Sequence, residues 1–517
     1  MATPAGSRGH GYLYLLVFTV GACTLGTEIA GARLLAPYFG DSTIVWANTI
    51  AVVLVALAAG YWIGGIVADR DPRLRTLCKV VLGGALLIAL VPFIARPFLG
   101  ASVDAFDELS VGVFAGSLAG VLVLLAVPVM VMGSVSPWAI RIAMSDVEHA
   151  GQLAGRLYAV STAGSLAGTM ISALVTIPML GTQRTFLVFA LAVALVGVAG
   201  LGWRWAPVPA AVAAALLIPV GTIKAADTGR VLYEGETTQQ YVRVVELPNG
   251  EVDLELNEGQ AVHSVYVPGG YLVGGYWDEN LVLPFTTYPG PQRRPGRGDR
   301  LRSEVRPPGR IAILGNAAGT VARAYGRFFP DTQVDAVEID GELTEIGRLY
   351  FDLRNPRMEV FEEDARPWLR RADAVYDTII VDAYRQPYIP FYLATREFFE
   401  LAREKLRPGG TLLINVGHPE NNDDLEKAIS ATLAEEFAHV LRDPSGLNNT
   451  MLVASESPAS AGNLRRAGPG LPAPLPLLAV GTAARIEPAL TGGDVWTDDR
   501  APVEWLVDLS LLEYANE

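Results

Sequence analysis

Cysteine is nearly absent: Cys23 and Cys78 are the only two in a chain of 517 residues. Neither has metal-type spacing around it, so the sequence predicts no disulfide framework and no zinc site. Charge is also scarce, at 18% of residues, with 40 Lys and Arg against 54 Asp and Glu. The resulting net charge of −14 comes mainly from the second half. It argues against non-specific nucleic-acid binding and for partners that are small and cationic. No small-residue cleavage site follows the first apolar run, so Met1 to Tyr38 reads as a retained span, not a removed leader. What fills the space is hydrophobic: 51% of residues, with a mean hydropathy of +0.31, which is too apolar for an ordinary soluble chain.

The apolar residues are concentrated in roughly the first 225 positions. Runs near 12–37, 43–68, 77–99, 109–133, 153–180, 183–203 and 206–224 are each long enough to cross about 30 Å of hydrocarbon at 1.5 Å per residue. That makes seven spans. The last is the weakest, because Pro207 and Pro209 start it and Pro219 interrupts its end. Gly60/Gly64 and Gly164/Gly168 have the four-residue spacing of closely packed helices. Arg70, Arg73, Arg75 and Lys79 flank the second loop and Asp104, Asp107 and Glu108 the third, which puts the second loop and the N-terminus inside. Seven crossings from an inside start would leave the rest of the chain outside. Six, with 206–224 not crossing, would leave it inside. Glu28 and Arg33 lie in the first span; they suit either a structural tether or a transport or ligand role.

Beyond Thr228 the pattern changes. Residues Tyr241 to Leu247 and Glu251 to Leu256 alternate around Pro248-Asn249-Gly250, as a hairpin does. A Pro- and Gly-rich stretch from Pro289 to Pro308 carries six arginines, reading as a solvated linker or as a contact for anionic lipid. Next come five apolar strands, at 311–314, 333–338, 358–361, 378–382 and 411–416, alternating with helices at 317–328 and 341–351. Ser455 to Pro476 reads as a loop without a core of its own. The expected organisation is an α-helical multi-span membrane domain (1–226), a small antiparallel β-domain (227–288), a basic linker (289–309), an α/β Rossmann-like, methyltransferase-type domain (310–455) and a loop with a C-terminal segment (456–517).

The chemistry-bearing residues sit at strand ends. The first strand of the α/β domain runs into Gly315-Asn316-Ala317-Ala318-Gly319, and Glu338 follows about 20 residues on, the order of a nucleotide or nucleoside site. Glu338, Asp364 and Asp382 close three successive strands and should converge on one crevice. Glu338 is placed to hold a ribose diol, and Asp364 suits an adenine amino group. Taken singly, each acid also reads as a solvated helix-terminus residue.

The chain resembles the spermidine synthase-like aminopropyltransferases, specifically the bacterial forms fused behind a multi-span membrane region. The resemblance rests on Gln239-Gln240-Tyr241, Gly274 to Asp278, Val337 to Asp340, Glu363-Asp364-Ala365, Asp382, Thr395 to Phe399, the first-span run Glu28 to Gly40 and the terminal Thr497 to Glu504. It implies transfer of an aminopropyl group from decarboxylated S-adenosylmethionine, as co-substrate, to putrescine or spermidine, releasing methylthioadenosine without a metal. It further implies that Asp382 is the base and amine contact, that Tyr276 orients the attacking nitrogen and that Gln240 lies near the donor. Gly315, Gly319, Glu338 and Asp364 would hold the adenosyl part. The family's soluble members commonly self-associate, which leaves a homodimer open; the arginine-rich loop suits membrane lipid, and the cytoplasmic supply of adenosyl donors favours a cytoplasmic catalytic domain on a multi-pass membrane protein.

Two departures accompany it. Ala317-Ala318 stand where the family carries an aspartate for the donor's ammonium, and Arg385 stands three residues after Asp382, where a second aspartate is common. Asp278, Glu279, Asp498 and Asp499 are the candidates to compensate, Asp278 as a substrate contact. The departures leave two rivals open: a methyltransferase-like enzyme using intact S-adenosylmethionine, and a transporter or sensor that binds polyamine or nucleoside without turnover.

Overall fold

The computed structural model describes residues 6–503 and 506–507, apart from the intervals 40–42, 110–111, 145–149, 220–222, 224–227, 258–260, 291–304, 385–387, 419–421 and 447. It divides into two compact units. One comprises Met1–Ala225 with Glu234–Val242 and Asn257–Gly259; the other holds the remainder.

In the first unit, six helices among the described residues are long and apolar enough to cross a membrane: Gly11–Phe39, Val45–Arg70, Leu74–Leu99, Ala115–Ala143, Ala150–Leu180 and Thr182–Leu201. The seventh expected span is not among them. Its segment forms only the nine-residue helix Pro207–Ala215, about 14 Å at 1.5 Å per residue. Prolines explain the shortfall: Pro207 can open a helix, but Pro219 has no N–H with which to continue one.

The spaced glycines are contact points between these helices. A Cβ on Gly164 or Gly168 would collide with the carbonyls of Phe18 or Ala22, and one on Gly60 or Gly64 with Met130 or Ser134. Close backbone approach, not side-chain bulk, sets those interfaces. Glu28 is buried, with no ion pair among the described residues, and Arg33 hydrogen-bonds the Thr238 carbonyl. The expected tether between Glu28 and a cation is therefore not seen there.

The second part of the chain begins with strands β1 (Arg230–Glu236), β2 (Tyr241–Glu246), β3 (Val252–Leu256) and β4 (Val262–Tyr266), which form a sheet in that order. The β2–β3 connection is the expected hairpin, closed by the Leu247 N–H on the Glu251 carbonyl at 2.8 Å. The larger sheet contains β5 (Arg310–Leu314), β6 (Gln333–Glu338), β7 (Met358–Glu362), β8 (Tyr376–Val381), β9 (Leu406–Gly417), β10 (His439–Pro444), β11 (Asn449–Ser455) and β12 (Glu487–Pro488). Its order is β12-β10-β11-β9-β8-β5-β6-β7. The pairs β6–β7, β5–β6, β5–β8 and β8–β9 are parallel, whereas β11 and β10 run antiparallel.

Both faces are buried, as a parallel sheet requires. Along β5, Ile311 and Ile313 join one hydrophobic cluster and Ala312 and Leu314 the other, the period-two alternation of a strand. The tract after Ser455 differs from the loop expected of it. It forms the helices Ala461–Ala467 and Leu475–Arg485, and Leu464, Leu471 and Leu475 enter the cluster around Ile311. The Pro and Gly content concealed a short amphipathic layer with a leucine at each contact point.

Candidate active site

Chain order reverses between β5 and β8: the chain passes β5, β6, β7 in one direction and then returns to add β8 and β9 on the other side. The carboxyl ends at such a reversal form a crevice that binds ligands. Gly315 closes β5 there with φ of +91°, and a Cβ on it would lie 2.5 Å from the Asp382 carbonyl at the end of β8. Only glycine permits both the left-handed backbone and this approach. Three positive φ values, at Gly315, Ala317 and Gly319, keep the turn non-helical. The following helix is therefore Thr320–Phe328, three residues shorter at its start than the sequence predicts. Two contacts tie the turn to β4: the Ala318 N–H donates to Ser264 Oγ at 3.0 Å, and Thr320 Oγ1 donates to the Val265 carbonyl at 3.1 Å.

Glu338, the last residue of β6, is 7% exposed. Its Oε2 accepts from the Ala317 N–H at 2.8 Å and its Oε1 from the Asp340 N–H at 3.1 Å. Each oxygen keeps a second lone pair, so a diol can still be held by both. Burial pushes the carboxyl up to about 7, against the opposing pull of those N–H donors. Asp382 is partly buried just after β8. Its Oδ1 accepts from Asn415 Nδ2 at 2.9 Å, and the Tyr276 hydroxyl is a second hydrogen-bond partner. Burial also raises Asp382 to about 7, with a further push from the charge of Glu338. Tyr276 is raised in turn by burial and by Asp382, so the phenol stays protonated and donates.

Asp364 caps the helix Ala365–Arg371, accepting from the Arg366 N–H at 3.0 Å and from the Tyr392 hydroxyl at 2.6 Å. It lies next to Glu338 along the sheet edge, where the Glu363 N–H meets the Glu338 carbonyl at 3.2 Å. Gln240 sits in the β1–β2 turn, its N–H 3.0 Å from Thr237 Oγ1, and clusters with the helical unit.

The compensating acids are otherwise engaged. Asp278 holds the N–H groups of Val273 and Gly274 at 3.0 and 2.8 Å, which fixes the loop before Tyr276. Glu279 pairs with Arg485, and Asp498 grips Arg366 through both oxygens and accepts from Thr395. Asp499 is exposed, and Arg385 lies outside the described residues.

Sequence reasoning missed Asn415, Tyr384 and Asn449. Asn415 gives one N–H to Asp382 and takes one from Asn449 at 2.9 Å, which fixes its orientation. Tyr384 donates to the Asn415 carbonyl at 2.9 Å and accepts the Gly417 N–H at 2.6 Å. The available signal was one polar residue in the otherwise apolar run Leu412 to Val416, an arrangement that needs a partner to be tolerated.

A parallel sheet with a glycine turn, a buried acid and an acid–phenol pair at its switch point has the layout of a nucleoside crevice in open α/β sheets. Comparison with known proteins is more specific: residues 303–445 match the spermine/spermidine synthase domain model. Among similar curated proteins is a probable polyamine aminopropyl transferase of Bifidobacterium longum, 32% identical over 208 residues, covering 40% of this chain and 42% of that one. The match thus spans less than half of that relative. A polyamine aminopropyltransferase of Mycobacterium tuberculosis is 28% identical over 459 residues, covering 81% of this chain and 79% of its own. A probable spermidine synthase from Corynebacterium glutamicum superposes with a TM-score of 0.37 at 22% identity, covering 52% of this chain and 98% of that one.

Proposed function

We propose that the protein transfers an aminopropyl group from decarboxylated S-adenosylmethionine to an amine of the putrescine or spermidine class, releasing methylthioadenosine. The observation that carries this reading is Asp382, a carboxyl raised to about 7 by burial and held by two neutral donors, Asn415 and Tyr276. An ammonium cannot attack carbon; it must first lose a proton, and a base poised near neutrality is suited to take it. The nitrogen then bonds to the carbon beside the sulfonium, the carbon–sulfur bond breaks, and its electrons return to sulfur. Glu338 holds the ribose, the glycine turn lies against the adenosyl part, and Asp364 receives the adenine amino group. Much of the acceleration comes from aligning the two reactants.

Purified protein given decarboxylated S-adenosylmethionine and a panel of amines should release methylthioadenosine, read by mass spectrometry. S-adenosylhomocysteine formed from the intact cofactor would replace this reading with methyl transfer.

The proposal includes a place for the domain. Six crossings would leave both ends on one face, and the loop rich in Arg and Lys between the second and third helices supports a cytoplasmic position for that face, where adenosyl donors are made. Arg354 has an 87% exposed side chain. A cysteine there, in a Cys23→Ser/Cys78→Ser background, should resist an impermeant thiol reagent until cells are lysed. Labelling of intact cells would overturn the orientation.

A further inference from the structure

Asn316 occupies the second position of the glycine turn and is 6% exposed. Neither its Oδ1 nor its Nδ2 has a hydrogen-bond partner among the described residues. A buried carboxamide with both ends unused costs stability, because each atom has given up water without replacement. Its own backbone is committed, the N–H to the Val337 carbonyl at 3.2 Å and the carbonyl to the Gly319 N–H at 2.8 Å. The turn's other donors are also occupied: the Ala317 N–H by Glu338 and the Ala318 N–H by Ser264. Around this amide the turn offers no acid side chain, only Ala317 and Ala318. Asp278, Glu279 and Asp498, which could have supplied charge, are held by backbone N–H groups or arginines.

We infer that Asn316 reads the tail of the donor as a neutral two-way hydrogen-bonding group, so that the site accepts intact S-adenosylmethionine, with its amino-acid end, as well as the decarboxylated donor. This rests on the adenosyl-donor reading above. The tail of the intact donor carries an ammonium and a carboxylate. Oδ1 accepts from the first and Nδ2 donates to the second, which uses both unsatisfied atoms. An aspartate would attract the ammonium and repel the carboxylate, selecting the decarboxylated form. An asparagine removes that selection. The reaction itself is unchanged: the amine nitrogen bonds to the carbon beside sulfur, the carbon–sulfur bond breaks, methylthioadenosine leaves, and Asp382 takes the proton. The product from the intact donor keeps its carboxylate.

The test is calorimetric titration of the full-length protein with methylthioadenosine, decarboxylated S-adenosylmethionine and intact S-adenosylmethionine. The wild type should bind the two donors within about tenfold of each other. Asn316→Ala should weaken both donors roughly five- to tenfold while leaving methylthioadenosine, which has no such tail, within about twofold. It should also raise the unfolding midpoint of the ligand-free protein, since two unsatisfied atoms are removed. Asn316→Asp should shift the ratio toward the decarboxylated donor by about tenfold or more. Equal donor affinities in wild type and Asn316→Ala would overturn the inference, as would an unchanged ratio in Asn316→Asp or a wild-type preference above about 100-fold for the decarboxylated form. Failure of the wild type to bind methylthioadenosine would instead remove the adenosyl site itself, and the inference with it.

Discussion

Acids in the sheet domain fall into two groups according to what holds them. Away from the crevice, three buried carboxylates meet an arginine. Asp335 takes Arg310 at 2.7 Å and the Tyr376 hydroxyl at 2.8 Å, Glu426 takes Arg442 at 2.6 and 3.0 Å, and Asp443 takes Arg485 at 3.0 Å. At the crevice, Glu338 and Asp382 meet only N–H and O–H donors, and no cation reaches them among the described residues. Burial is common to both groups; the partner differs. An arginine sets a full positive charge beside the carboxylate. Neutral donors stabilise it less, and both crevice acids rise to about 7. In the proposed reaction Asp382 must gain and lose a proton, and its hydrogen-bond partners are neutral.

The largest test of this division exchanges one acid of each kind for its amide. Asp382→Asn keeps the shape and can still accept from Asn415, so the fold and donor binding should survive while turnover falls about 10²- to 10⁴-fold. Turnover within threefold of wild type would remove Asp382 from the base role. Glu426→Gln should do the opposite. Its side chain is fully buried against Arg442, and loss of the pair should cost about 2–3 kcal/mol of stability in a denaturant or thermal melt. At temperatures where the variant is folded, turnover should stay near wild type. A catalytic loss with unchanged stability at Glu426 would erase the distinction.

This division was partly visible in the sequence. The parallel strands, the glycine turn and the acids Glu338, Asp364 and Asp382 could be placed because apolar runs with an acid at the end have few alternative readings in an α/β chain. Asn415 was hidden because a lone polar residue inside a strand gives no hint of which neighbour it faces. That depends on β9 lying beside both β8 and β11, a crossover that periodicity does not encode. The engagement of Asp278 and Asp498 was equally hidden, since an acid beside a glycine loop looks the same whether it binds substrate or backbone. In the helical unit, six of the seven expected spans have counterparts among the described residues in helices long and apolar enough to cross a membrane, and the segment without one is the one whose prolines had marked it as the weakest.

The smallest test works on the boundary between the two groups, by altering the donors around Asp382 and leaving the acid itself in place. The rate should follow the carboxylate form: with the group near 7, kcat/KM should fall about tenfold per pH unit below that point and level off above it. Asn415 favours the charged form, so Asn415→Ala should move the inflection upward, to higher pH. A hydrogen bond to a charged group contributes about 1.5–3 kcal/mol, which corresponds to roughly 1–2 pH units. The plateau rate at high pH should drop less than the rate at pH 7, because the base is still present and only its proton affinity has changed. A merely structural role for Asn415 would lower the whole profile without moving it. An inflection displaced to lower pH would mean that the amide holds Asp382 in its neutral form, and the contrast between arginine-held and donor-held acids would then need another physical cause.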